Sequence, residues 1–128
     1  MEKLNAGELE IVHKIGDLPA PLRSALDDTP MADAGEPFSV GCVVRAVDPL
    51  PFARLIFAAV GDQVAYVHYE QGGFAHLYFL ACYLLRGEDG KALKTARLIF
   101  RAGVNQACSD IEAINRAISA GEISAGEN

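Results

Sequence analysis

Most of the chain after residue 37 consists of short apolar runs separated by turn residues. The runs are rich in valine, isoleucine and aromatic residues, which favour β-strands, and glycines, prolines and acidic residues lie between them. Turns are indicated at Asp48–Pro51, Gly61–Asp62, Gln71–Gly73 and Gly87–Gly90. The pattern therefore predicts five strands, over residues 38–46, 53–60, 64–70, 74–85 and 93–102.

The N-terminal segment has the spacing of an amphipathic helix. Asn5 and Glu8 resemble an N-cap and its capping-box partner, and Gly16 is a suitable end. The apolar positions between them lie three residues apart, at Leu9, Val12 and Ile15. Pro21 then favours the start of a short second helix, because proline is tolerated in the first helical turn.

The C-terminal segment predicts another helix. Ser109 and Glu112 fit a capping box, and Gly121 ends the apolar periodicity. The apolar stripe of this helix is formed by Ile111, Ile114 and Ile118. Residues 122–128 have no such pattern, and we expect them to form a frayed tail.

Residues 49–60 admit two interpretations. Asp48, Pro49 and Gly61 are suitable N-cap, first-turn and C-cap residues for a helix. However, residues 53–63 and 96–106 are identical at seven of eleven positions. The second copy follows a turn and contains residues that favour a strand, so we prefer a strand for both copies.

These elements predict a single α+β domain over residues 1–128. We expect a five-stranded, mostly antiparallel meander with the N- and C-terminal helices packed on one face. Residues 27–37 are polar, contain two prolines and lack periodicity, so a flexible loop is expected there. The predicted core consists of Leu55, Phe57, Val67, Leu77, Phe79, Leu98, Phe100, Ile111, Ile114 and Ile118.

Composition and charge narrow the possible partners. The net charge of -6 disfavours nucleic acid, because an acidic surface repels phosphates. No apolar run is long enough to cross a membrane, and no signal peptide is apparent at the N-terminus. The three cysteines lack metal-binding or disulfide spacing, which is typical of reduced thiols in a cytoplasmic protein. Glycine-rich nucleotide motifs are missing from the sequence, and we expect no cofactor.

The segment 64–83 contains two of the three histidines and all four tyrosines. A three-residue loop at Gln71–Gly73 would place His68 opposite His76 and gather the small and apolar residues on the other face. In that arrangement the two imidazoles disfavour each other's protonation, so at least one should have a pKa below about 6.5. Together with arginines on the neighbouring strands, the polar face would contain Tyr66, His68, Glu70, His76, Tyr78, Arg54 and Arg97.

Four interpretations of that face remain open. It could be a homodimer interface, a solvated surface, or a pocket in which arginines meet a small anionic ligand. A metal site built from His68, His76 and Glu70 is the fourth, but no helical ligand spacing supports it and we predict no metal.

The sequence thus favours a non-enzymatic cytosolic interaction or ligand-binding module, homodimeric through its sheet face. The alternative is a small enzyme with His68 or His76 as acid or base. In that enzyme Arg54 or Arg97 would bind an anionic substrate, and no sequence motif marks a catalytic residue.

Overall fold

The computed structural model describes residues 1–40, 50–73 and 75–125. The described strands are β1 (Glu10–Val12), β2 (Met31–Ala32), β3 (Ala53–Val60), β4 (Val64–Gln71), β5 (Leu77–Arg86), β6 (Ala92–Val104) and β7 (Ile123–Ala125). The α-helices in the same ranges are α1 (Ala20–Ala25) and α2 (Ile111–Ser119). Short 3₁₀ helices cover Ala6–Glu8 and Ile15–Asp17.

The strands form one open sheet, and the predicted α+β class is confirmed. Six strands lie side by side in the described ranges, in the order β1-β3-β4-β5-β6-β7, and β2 pairs in parallel with the start of β3. The strand prediction for residues 53–60 is confirmed, so the helix alternative for this segment is wrong. Residues 38–40 are not in a strand, and the rest of the first predicted strand lies outside the described residues.

The predicted helix near the N-terminus is wrong. Asn5 does act as a cap, since its Oδ1 accepts the Gly7 N–H at 3.2 Å, but it caps only the 3₁₀ turn. The chain then extends as β1, whose residues pair with the antiparallel edge of β3 at Ala58, Ala59 and Val60. The neighbouring strand thus overrides a local helical pattern by providing backbone partners. The second predicted helix, at Pro21, is α1.

The two α-helices pack on opposite faces of the sheet, which corrects the expectation of one helix-covered face. On β4, Ala65, Val67 and Tyr69 belong to the cluster that contains Leu22 of α1. A second cluster contains Ile114 of α2 and, from the sheet, Phe57, Leu80 and Ala102. Because alternate residues of a strand point to opposite faces, both faces of this sheet are partly buried.

In this arrangement only part of the predicted core is buried. Five of its members are buried, namely Leu55, Phe57, Val67, Ile111 and Ile114. Phe79, Phe100 and Ile118 are partly buried, and the predictions for Leu77 and Leu98 are wrong because they are 48% and 40% exposed.

The start of α2 differs by one residue from the predicted cap. Asp110, rather than Ser109, is the N-cap, and its Oδ1 accepts the Ala113 N–H at 2.8 Å. The helix ends before Gly121, whose φ of 73° suits glycine. Residues Ile123–Ala125 pair with β6 rather than fraying, because that edge offers unsatisfied backbone groups, and residues 126–128 lie outside the described ranges.

The segment 27–37 has more contacts than expected of a loop. It contains β2, and the Asp33 carboxylate accepts the Ile15 N–H at 2.7 Å. The Ala34 N–H donates to the His13 carbonyl at 3.0 Å. The flexibility of residues 27–37 stays a prediction, and limited proteolysis would measure it. Within the described ranges, no helix has both the length and the apolar character needed to cross a membrane.

Candidate functional site

The β4–β5 hairpin has a longer connection than the sequence predicted. Gln71 pairs with Leu77 and His68 pairs with Leu80, so residues 72–76 connect the strands and the three-residue loop is wrong. The Gly72 N–H donates to the Phe52 carbonyl at 2.7 Å, which fixes the connection against a neighbouring segment. His76 therefore lies outside the strand and not opposite His68. Because the register shift is even, Tyr78 of β5 still shares the face of His68 and Glu70.

His68 is fully buried and serves the fold. Its Nδ1 is 2.8 Å from the Phe79 carbonyl, and the Cys108 N–H donates to its Nε2 over 2.9 Å. These partners require a neutral ring protonated at Nδ1. Burial lowers the pKa of His68, and the Phe79 carbonyl and Glu70 oppose that shift. With both nitrogens occupied, His68 offers no atom to a substrate or a metal.

Glu70 joins two of the predicted site residues. This residue is buried, and its Oε2 lies 3.0 Å from Nη2 and 3.1 Å from Nε of Arg54. Its Oε1 lies 2.8 Å from Nε2 of His76. Register explains the first contact, since Arg54 of β3 pairs with Glu70 of β4, and the hairpin connection folds back to supply the second.

Aromatic rings pack against both partners of this carboxylate. The Arg54 guanidinium lies 4.3 Å from the ring centroid of Phe38, and its Nη1 donates to the Glu36 carbonyl at 3.2 Å. The His76 ring stacks on Tyr78 with centroids 5.0 Å apart. The Phe38 ring contacts the same imidazole edge-on, with 5.9 Å between the ring centroids. We call Phe38, Arg54, Glu70, His76 and Tyr78 the Glu70 cluster.

Three predicted site residues lie outside this cluster. His68 is buried as described above. Tyr66 lies opposite Cys82, and its pKa is raised mainly by burial and to a smaller extent by Cys82. Burial also raises the pKa of Cys82 to about 11, so this thiol is protonated at neutral pH. Arg97 is exposed opposite Leu84 on β5, which places it roughly 20 Å along the sheet from Tyr78.

A cavity of about 450 Å³ adjoins the Glu70 cluster at the end of the hairpin. It is lined by His76, Leu77, Tyr78, Phe79, Gly103, Val104, Asn105, Gly121 and Glu122. No pattern in the sequence marks Asn105 or Glu122, since each lies in a connection outside the hairpin. The antiparallel pairing of β5 with β6 and the return of the chain after α2 bring them to the site.

The geometry offers polar groups but no obvious metal centre. Among the residues that the structure describes, no three histidine, cysteine, aspartate or glutamate side chains are grouped closely enough to hold an ion. The site presents a partly exposed imidazole that a buried carboxylate orients, the Tyr78 ring stacked on that imidazole, and the acidic residue Glu122.

Comparison with known proteins finds no relative of this chain. The chain matches no protein-family model, no curated protein and no solved structure.

Proposed function

We propose that the chain is a non-enzymatic module that binds a small organic cation in the cavity beside the Glu70 cluster. One observation carries the proposal: Glu70 orients His76 at the wall of a cavity whose lining also contains an acidic side chain. Concave sites with aromatic walls and a few oriented polar groups are typical of small-molecule binding.

The charges favour a cation over the anion expected from the sequence. Arg54 is engaged by Glu70 and by the Glu36 carbonyl, and Arg97 lies on another part of the sheet. The acidic residue Glu122 lies at the cavity wall. The ring of Tyr78 can add cation–π attraction for an ammonium group.

One feature favours the enzymatic alternative. A histidine held by a carboxylate has the orientation of a general acid or base, and His76 has that partner in Glu70. His68 cannot share the role, since both of its nitrogens are occupied. Among the described residues that line the cavity there is no serine, cysteine, threonine or lysine nucleophile, so we favour binding.

Two further expectations remain part of the proposal. The described thiols of Cys82 and Cys108 are free and buried, which supports a cytoplasmic location. Homodimerisation through the polar sheet face has weaker support, because α2 packs on that face. Native mass spectrometry over a dilution series measures the dimer directly, and a monomer at all concentrations would contradict it.

Paired ligands test the charge preference. We expect benzylamine to shift the NMR signals of Tyr78 and Asn105, and benzoate, with the same ring and the opposite charge, to leave them unchanged. Glu122→Gln should weaken benzylamine binding about fivefold, the effect of an ion pair worth roughly 1 kcal/mol.

The control is Glu88→Gln, which removes one charge from the exposed turn before β6 and should leave binding unchanged. Benzoate binding as tightly as benzylamine would contradict the cation class. Failure of both compounds to shift the cavity signals would contradict the binding module itself.

A further inference from the structure

The basic residues of this acidic chain are concentrated along β6. The segment from Lys91 to Arg101 contains four of the 11 lysines and arginines and none of the 17 aspartates and glutamates. Its four basic side chains are Lys91, Lys94, Arg97 and Arg101. All four are exposed, and no carboxylate in the described ranges forms an ion pair with them. We call these four residues together with Leu98 the β6 basic surface.

This part of β6 also exposes apolar area. Leu98 is 40% exposed and Ile99 is 38% exposed, although both lie within a strand. Arg97 and Leu98 are exposed in succession, so both faces of the strand reach solvent here. Among the described strands, β7 covers the far edge of β6 only at Ala102, Gly103 and Val104.

One arginine of the surface is held in place. The Nη1 of Arg101 donates to the Tyr69 hydroxyl at 3.3 Å, and its guanidinium lies 5.6 Å from the Phe79 ring centroid. An arginine supported by aromatic rings loses less conformational entropy when it meets a carboxylate. Exposed arginine and aliphatic side chains beside aromatic rings are also typical of protein interfaces.

We propose that the β6 basic surface binds an extended acidic segment of another protein, with apolar anchors that contact Leu98. Charge complementarity supports this occupant, because the surface has only positive charges on a protein of net charge -6. The four basic residues follow the strand for about 30 Å, which matches an extended segment of about ten residues. Arg97 is opposite Leu84 and Arg101 is opposite Ala81, so these two arginines lie on opposite faces, and the segment would run along the edge of β6. A second copy of the chain is disfavoured, since pairing β6 with β6 sets like charges against each other.

A fluorescent peptide of alternating glutamate and leucine is the probe. We expect its anisotropy to rise on binding, and the binding to weaken more than tenfold in the double variant R97E/R101E. The matched control is K3E/K14E, which makes the same change in net charge at two exposed lysines outside β6 and should bind as the parent does. Circular dichroism of both variants checks the fold.

Three results would overturn the proposal. The first is peptide binding that is no weaker in R97E/R101E than in K3E/K14E, which includes the case in which the parent itself does not bind. The second is tighter binding of a single-stranded oligonucleotide than of the acidic peptide, which would assign the surface to nucleic acid. The third is a dimer that R97E/R101E abolishes, which would make a second copy the occupant. The variant L98S separates the apolar contribution from the charge contribution. We expect it to weaken peptide binding about fivefold without changing how that binding depends on salt concentration.

Discussion

The backbone N–H of Cys108 donates a hydrogen bond to Nε2 of His68 over 2.9 Å, and so joins the middle of β4 to the connection before α2. The opposite nitrogen of the same ring bonds the Phe79 carbonyl on β5. A buried histidine thus satisfies two backbone groups that would otherwise lack partners. Each such group left without a partner costs about 1–3 kcal/mol, so His68 stabilises the fold.

The first prediction follows from the protonation of His68. Burial lowers its pKa, so between that value and about 6.5 the unfolded chain binds more protons than the folded chain. The contribution of His68 to the free energy of unfolding is therefore present above about pH 6.5, and it is lost as the pH falls from there to the lower pKa of the folded state. Urea unfolding at several pH values measures this loss.

His68→Gln tests the cause. We expect this variant to be less stable at neutral pH and to show a shallower fall in stability towards acid than the parent. His13→Gln at an exposed position is the control and should retain the parent's pH dependence. Equal slopes in the parent and His68→Gln would show that His68 does not cause the acid sensitivity.

The second prediction concerns the buried carboxylate of Glu70. A double-mutant cycle with Arg54→Met and Glu70→Gln should give a coupling free energy of about 1–3 kcal/mol, because the pair is charge-assisted and the glutamate is buried. The exposed pair of Arg86 and Asp62, with 3.5 Å between Nε and Oδ1, is the control. Its coupling should be about 0–1 kcal/mol. Equal couplings would contradict a special role for burial at Glu70.

Local patterns predicted the elements whose partners are adjacent in sequence. Apolar runs between turns located β3 closely, and the isoleucine spacing located α2. The start of α2 was missed by one residue because Ser109 and Asp110 are both good caps, and only the backbone conformation distinguishes them. The N-terminal helix failed because pairing with β3 outweighed its local pattern.

The candidate site was only half predictable. Alternation placed His68 and Glu70 on one face, but loop length decides the register, and tertiary contacts at Gly72 set that length. Asn105 and Glu122 reach the cavity through topology, and no local signal marks them. The sequence also gave no means to tell a buried structural histidine from an exposed one, since His68 and His76 share similar surroundings in the sequence.

The third prediction tests the assignment of the two faces. Phe57 is fully buried in the cluster with α2, so Phe57→Ala should lower the free energy of unfolding by about 3–5 kcal/mol. Leu98→Ala should change it by less than about 0.5 kcal/mol, because that side chain is substantially exposed. Denaturant midpoints of the two variants measure the difference, and similar losses would show that Leu98 is buried in solution.

The last prediction concerns Gly72, where two segments meet without room for a side chain. A Cβ atom at this position would overlap the Ser39 carbonyl oxygen and lie 2.7 Å from Val40 Cα. Both obstacles are backbone atoms, so the segment 39–40 must move to admit a methyl group. We expect Gly72→Ala to cost about 1–3 kcal/mol, the range of overpacking. Because Phe38 adjoins this segment and stacks on Arg54, the Arg54–Glu70 coupling should also fall.

Gly16→Ala is the matched control for Gly72→Ala. Its Cβ would meet no atom within 4 Å, and we expect its free energy of unfolding to stay within about 0.5 kcal/mol of the parent. Urea midpoints compare the two variants, and the double-mutant cycle repeated in Gly72→Ala reports on the Glu70 cluster. A stable Gly72→Ala protein with undiminished coupling would mean that residues 39–40 do not pack on the hairpin. If stability falls while the coupling persists, the segment closes the hairpin but does not hold Arg54 in place.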